Sequence, residues 1–194
     1  MDDFDVEPVR RHPVEPATKA LPNVKCLVIG DAEVGKTSLV KAFCGGGNTA
    51  FSKSYEPTVG AEFNWRHFTH NLTALRVNIW DLSGDSQYSE VRNEFYKESQ
   101  GVLLVFDVTS RKSFQNLSMW LDEVSKNSTG EIQIVIVGTK MESGPRAVTE
   151  SVARDWAKSK SHPYVEALAA RGAPLGAAQR EGIVGPRKGA SLRP

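Results

Sequence analysis

Cysteine is scarce in this chain: two residues, Cys26 and Cys44, among 194. One lies in an apolar run and the other ends a short helical stretch. Both read as reduced packing residues, which excludes a small disulfide-stapled fold and points to a cytosolic protein. Long apolar runs are missing too; none reaches the ~20 residues needed to span a bilayer as a helix. Charge of one sign is absent. Lysine and arginine number 24 against 23 acidic residues, for a net charge of +1, so nothing calls for nucleic acid or an anionic membrane. The opening Met1-Asp2-Asp3-Phe4-Asp5 is acidic and does not read as a signal peptide. Ser191-Leu192-Arg193-Pro194 offers no cysteine for a prenyl group, so no direct lipid anchor is expected and membrane contact would go through partners. The four histidines, His12, His67, His70 and His162, are scattered and read as solvated surface residues.

What is present is a phosphate-binding pattern. Gly30-Asp31-Ala32-Glu33-Val34-Gly35-Lys36-Thr37 fits G-x-x-x-x-G-K-[ST]. The apolar run Val24–Ile29 before it predicts a buried strand, and Ser38–Phe43 after it predicts a helix. That order suits a polyphosphate: glycines let the backbone wrap it, N–H groups point inward, and the helix N-terminus adds a positive dipole. Lys36 would neutralise β- and γ-phosphate charge, and the Thr37 hydroxyl would ligate Mg2+.

Residues 1–22 carry four prolines and few large apolar groups and read as a disordered tail. Gly45-Gly46-Gly47 ends the first helix, and 51–60 is a polar connector long enough to be functional. Alternating apolar residues over 61–70 and 72–80, with a turn at Asn71, predict an antiparallel hairpin with Phe63 and Trp65 on one face. Tyr88, Val91 and Phe95 fall at helical spacing. Gly101–Asp107 and Ile132–Val137 read as strands buried on both faces. Helices are expected from Ser113, with a stripe of Phe114, Leu117, Leu121 and Val124, and over Val148, Val152 and Trp156. Residues 164–167 form a weak last strand. This alternation predicts an α/β, doubly wound domain over 23–169, mostly parallel with one antiparallel edge strand, followed by an atypical tail over 170–194. Ligands bind beyond the carboxyl ends of such strands. The candidate motifs lie there, including Asp81-Leu82-Ser83-Gly84, a D-x-x-G in which Asp81 could hold Mg2+ and the Gly84 N–H could approach a γ-phosphate.

At this point the chain resembles the small GTPases of the Ras superfamily, the Rab group in particular. The resemblance covers roughly Val24 to Ala167 and includes Tyr55-Glu56-Pro57-Thr58-Val59-Gly60, Trp80-Asp81-Leu82-Ser83-Gly84 and Phe106-Asp107-Val108-Thr109. The run Glu90–Gly101 looks like the Rab-like GTPases linked to a J domain, although His162-Pro163-Tyr164 is not the H-P-D signature of that domain. The resemblance implies a P-loop NTPase G domain that binds GTP or GDP with Mg2+ and acts as a switch. Thr58 would join Thr37 and Asp81 on the metal. Phosphates would meet Asp31, Ala32, Glu33, Val34, Gly35, Lys36, Thr37 and Ser38. Phe51 would lie against the guanine, Tyr55 would cover the phosphates, and Thr139, Lys140, Glu142 and Ala169 would read the base. Lys36, Thr58 and Gly84, with Asp85 at the water-orienting position, would be the catalytic set. Residues 53–60 and 82–96 would be the switch segments that meet protein effectors and exchange factors. Phe63, Trp80 and Phe95 or Tyr96 look like the effector-facing aromatics, with ordinary core packing as the alternative for Trp80 and Phe95. A cytoplasmic monomer, in signalling or vesicle traffic, is expected.

Four departures bear on mechanism. Asp85 stands where the family has a water-orienting glutamine; a carboxylate there repels the γ-phosphate, and slow hydrolysis follows. Ala32 places a methyl in the phosphate loop and points the same way. The base-reading N-K-x-D is Thr139-Lys140-Met141-Glu142, whose longer acid moves its carboxylate outward by ~1.5 Å, one C–C bond. E-T-S-A-K is Glu166-Ala167-Leu168-Ala169-Ala170, after which glycines and prolines replace the family's final helix. These departures support an alternative, a non-hydrolysing scaffold. A nucleoside kinase is a third reading, disfavoured by the hairpin ending in D-x-x-G.

Overall fold

The computed structural model describes residues 21–45, 56–70 and 72–168. Six strands form one sheet in the order β2-β3-β1-β4-β5-β6. They are β1 (Asn23–Ile29), β2 (Ala61–His70), β3 (Thr73–Leu82), β4 (Gly101–Asp107), β5 (Gln133–Thr139) and β6 (Tyr164–Glu166). β2 runs antiparallel to β3 at the sheet edge, with Phe63 opposite Trp80, and the remaining pairs are parallel. The expected doubly wound α/β sheet with one antiparallel edge is therefore the fold. Because the parallel strands point the same way, Gly30, Ser83, Val108, Lys140 and Ala167 all leave the sheet at one end.

Two-residue periodicity sorts the core. Leu27, Ile29, Val102, Leu104, Phe106 and Ile136 face one side, against Leu117, Trp120, Val124, Ala153 and Ala157. Val28, Val105 and Val137 face the other, against Val34 and Val40. β1, β4 and β5 have apolar residues on both faces, which is why these runs are continuous, whereas the edge strand β2 alternates.

The helices differ in detail from the sequence expectation. α1 spans Lys36–Cys44 and closes on Gly45. A 3-10 turn, Ser86–Tyr88, precedes α2 (Ser89–Tyr96). The buried α2 residues are Arg92 and Tyr96, while Val91 is exposed. The helix expected from Ser113 begins earlier and is two helices, α3 (Arg111–Gln115) and α4 (Leu117–Asn127). Ser110 supplies the start, its hydroxyl accepting the Ser113 N–H at 3.3 Å, as an N-cap should. Asn116 ends α3 and opens α4. α5 spans Glu150–Ser159, capped by Thr149, and its buried residues are Ala153 and Ala157. Val148 is buried ahead of the helix, whereas Val152 is exposed. Small residues let α5 lie close to the sheet, a signal that a search for large apolar residues passes over.

Candidate functional site

The site is built at the carboxyl ends of the strands. After β1 the chain turns through backbone that few side chains adopt: φ is 137° at Gly30, 65° at Glu33 and 94° at Gly35. A Cβ on Gly30 would run into the carbonyl of Val105, so the strand can only leave the sheet there as glycine. Val34 turns inward and is buried. Gly35 caps α1 in left-handed conformation with no side-chain acceptor, so no cap side chain takes the first-turn N–H groups.

Lys36 is 6% exposed. Its ammonium donates to the carbonyls of Gly30 at 3.0 Å and Asp31 at 2.7 Å. Burial lowers its pKa to about 8, partly offset by the Asp81 and Asp31 charges. Beside it three oxygens converge. Thr37 Oγ1 lies 2.9 Å from Thr58 Oγ1 and donates to Asp81 Oδ2. Asp81 is fully buried, and its other oxygen, Oδ1, has no hydrogen-bond partner among the described residues. Burial pushes this carboxyl above the usual range, against the Thr37 hydrogen bond and the Lys36 charge. Thr37, Thr58 and Asp81, from three separate parts of the chain, thus form a hard-oxygen cluster with one carboxylate oxygen unused. That donor set fits Mg2+.

Gly84 approaches the phosphate loop so closely that a Cβ there would overlap the backbone of Gly30, Asp31 and Ala32. Asp85, next in sequence, is turned onto its own 3-10 turn. Its Oδ1 accepts the Gln87 N–H at 3.0 Å and its Oδ2 the Gln87 side-chain amide at 2.9 Å. Thr139 Oγ1 lies 2.5 Å from the Val34 carbonyl and 2.9 Å from that of Phe106, so the threonine ties the base-side loop to the phosphate loop. Lys140 has φ 61° and pairs with Asp107 Oδ2 at 3.0 Å. Burial would raise the Asp107 pKa, but hydrogen bonds from Thr109 and Lys140 hold it below the ordinary value. Glu142 is exposed. Phe51, Tyr55 and Ala169 lie outside the described residues, as do the two tails, 1–20 and 169–194, and the connector over 46–55.

Three arrangements were not anticipated from sequence. Asp31 accepts from Asn116 Nδ2 at 2.7 Å and Trp120 Nε1 at 2.8 Å, so α4 holds the phosphate loop from outside. Arg92 reaches the carbonyls of Ser83 (3.0 Å) and Asp85 (2.6 Å) and forks onto Glu123, which Tyr96 also touches. Arg146 forks onto Glu166. The aromatics Phe63, Trp80 and Phe95 form a continuous patch, with centroids 4.8 Å apart in each pair. Phe63 is 44% exposed, while Trp80 and Phe95 are partly buried against the core.

The sequence profile of the Ras family matches residues 25–178. The chain belongs to the Ras family. Among relatives of this Ras-family chain, DnaJ homolog subfamily C member 27 of Danio rerio is 37% identical over 155 residues, covering 77% of this chain and 56% of the relative. The Mus musculus protein of that name is 37% identical over 164 residues, covering 81% and 58%. GTP-binding protein ypt1 of Schizosaccharomyces pombe is 32% identical over 146 residues, covering 75% and 70%. The chain spans little more than half the length of the DnaJ-named relatives. The Rab-like resemblance seen in the motifs is thus borne out, and the family match runs past Ala167 to residue 178.

Proposed function

We propose that this chain is a Rab-like guanine-nucleotide switch that binds GTP or GDP with Mg2+ and hydrolyses GTP slowly. One observation carries the reading: Lys36, Thr37, Thr58 and Asp81 gather at the start of α1, whose N-terminus has no side-chain cap. In this reading the loop amides from Asp31 to Ser38 and the Lys36 ammonium hold the β- and γ-phosphates. Thr37, Thr58 and Asp81 hold Mg2+, which supplies positive charge to the phosphate oxygens. Thr139, Lys140, Glu142 and Ala169 read the guanine, Phe51 packs on it and Tyr55 covers the phosphates. Water attacks the γ-phosphorus in line with the bond to the β-bridging oxygen; that bond breaks, giving phosphate and GDP. Thr58 and Gly84 offer N–H groups to the γ-phosphate. Residues 53–60 and 82–96, with the Phe63–Trp80–Phe95 patch, meet effectors and exchange factors.

Asp85 governs the rate. Its carboxylate is engaged by Gln87 and would bring negative charge toward the phosphate. The same observation favours a second reading, a scaffold that holds nucleotide without turning it over. The test is titration of nucleotide-stripped protein with fluorescent GDP and GTP plus Mg2+, with ATP as competitor, followed by single-turnover phosphate release. Guanine-selective binding, with slow release that rises in Asp85→Gln, is expected. ATP competing equally with GTP overturns the nucleotide assignment, and tight GTP binding with no phosphate release selects the scaffold.

A further inference from the structure

We infer that Arg92 is a positioning residue that holds Gly84 against the phosphate loop in both nucleotide states, so that residues 83–96 do not release when the γ-phosphate leaves. The inference deepens the nucleotide reading above and rests on it. In GTPase switches the segment after D-x-x-G is ordered by contacts to the γ-phosphate and loosens after hydrolysis. Here the chain supplies contacts of its own at the same place. Arg92 Nη1 donates to the Ser83 carbonyl at 3.0 Å and to the Asp85 carbonyl at 2.6 Å. Those two carbonyls stand on either side of Gly84, the residue that packs on the backbone of Gly30, Asp31 and Ala32. One buried cation therefore grips the backbone before and after the glycine whose N–H would meet the γ-phosphate.

The grip is anchored from α4. The other two guanidinium nitrogens fork onto Glu123, Nε at 2.9 Å from Oε1 and Nη2 at 3.1 Å from Oε2. The Tyr96 hydroxyl donates to the same Oε1 at 2.9 Å. A two-pronged guanidinium–carboxylate pair fixes orientation as well as distance. The guanidinium also lies over the Trp120 ring, 4.7 Å from its centroid, and Trp120 Nε1 donates to Asp31 Oδ1 at 2.8 Å. The path thus closes on itself, from the phosphate loop through α4 and Arg92 to Gly84 and back to the phosphate loop. Burial of Arg92 keeps water from competing for these bonds. Every donor and acceptor in the ring belongs to the chain, so cleavage of a γ-phosphate removes none of them. The exposed face of α2, with Val91 and Glu94, is then offered to a partner in either nucleotide state. The nucleotide-dependent change falls to the segment that carries Thr58.

The experiment is hydrogen exchange read by mass spectrometry on the full chain, loaded with Mg2+ and either GDP or a non-hydrolysable GTP analogue. In the parent, residues 83–96 should exchange alike in the two states, within about twofold, while residues 56–60 exchange faster with GDP. In Arg92→Ala the γ-phosphate becomes the main hold on Gly84. Exchange over 83–96 should then be roughly tenfold faster with GDP than with the analogue, the size of one lost charge-assisted hydrogen bond. Glu123→Gln keeps the anchor's shape and an acceptor for Tyr96, so it reports even if Arg92→Ala does not fold; it should show a smaller split of the same sign. Lys97→Ala, which removes an exposed ion pair with Glu94 at the end of the same helix, should match the parent. A parent that binds both nucleotides but exchanges many times faster over 83–96 with GDP overturns the inference alone. Variants that exchange faster by one common factor in both states, as loss of a merely stabilising arginine would give, also overturn it. A parent chain that binds neither nucleotide overturns the nucleotide reading and this inference with it.

Discussion

Lys36 lies in the interior with its ammonium on two loop carbonyls rather than on a carboxylate. The carbonyls stabilise the cation less than water does, and burial therefore lowers its pKa from 10.5 to about 8. The sign of the consequence follows. Between about 8 and 10.5 the unfolded chain holds a proton that the folded, nucleotide-free chain has lost. Stability of that form gains from this group as pH rises through the window. Nucleotide binding runs the other way, because a polyphosphate needs the charged amine and raises its pKa. GDP affinity should stay flat from pH 6.5 to 7.5 and fall above pH 8, approaching tenfold per unit, with proton uptake on binding at pH 8.5. Calorimetric titration in buffers of different ionisation enthalpy measures both; equal affinity at pH 7 and 9 contradicts this account. At the residue scale the phosphate loop was legible because its glycines, lysine and threonine are each required by chemistry within a few residues. Asp31 was not, since its partners Asn116 and Trp120 stand 85 and 89 positions away and no local pattern announces them.

Among the elements, α2 and α4 meet through charge where apolar spacing would have placed a hydrophobic seam. Arg92 is 3% exposed, lies 4.7 Å over the Trp120 ring, and forks onto Glu123 while reaching back to the Ser83 and Asp85 carbonyls. It thereby joins the segment after β3 to the helix that also holds Asp31. Removing the arginine leaves Glu123 with Tyr96 and takes the arginine donor from the Ser83 and Asp85 carbonyls, of which Asp85 keeps the Tyr88 N–H. Arg92→Ala should cost about 3 kcal/mol in urea unfolding, the range for breaking a buried pair from one side. Tyr96→Phe, which deletes a single hydrogen bond to Glu123, should cost about 1 kcal/mol. Equal costs would mean that the Arg92 contacts, its ion pair and its stacking on Trp120 together, hold the two helices no more firmly than the one Tyr96 hydrogen bond. Tyr88, Val91 and Phe95 announce a helix here by their spacing, and Phe95 packs on the core while Val91 is exposed. The fully buried residues, Arg92 and Tyr96, were not legible as such, because they turn inward only where their polar ends find partners. The break between α3 and α4 was equally hidden, since it falls at Asn116, whose side chain is drawn to Asp31.

Across the whole molecule, the sheet's two faces differ in what covers them. On one, α4 and α5 pack against Phe106, Ile136 and Tyr164. On the other, the helical residues in the apolar cluster all come, among the described residues, from α1, and Leu103, Val135 and Val165 are partly buried. The mostly parallel sheet and its antiparallel edge were legible because continuous apolar strands, one hairpin and a phosphate loop after β1 leave few topologies, whereas the strand order came from the structure. What lies beyond Leu168 was read as unable to form a helix, and it falls outside the described residues. Neighbouring residues of β5 test the asymmetry directly. Ile136 is 0% exposed and faces α4 and α5, whereas Val135 faces the α1 side among partly buried groups. Both are β-branched in one strand, so the strand propensity lost on truncation is alike. Ile136→Ala should cost about 4 kcal/mol, from lost transfer free energy plus the cavity left behind. Val135→Ala should cost about 1 kcal/mol, because a half-open site gives up less apolar burial and lets solvent fill the gap. Urea unfolding of the full chain measures both. A Val135→Ala cost close to that of Ile136→Ala would mean that residues 169–194 close over this face, and removing them should then lower the cost to the expected value.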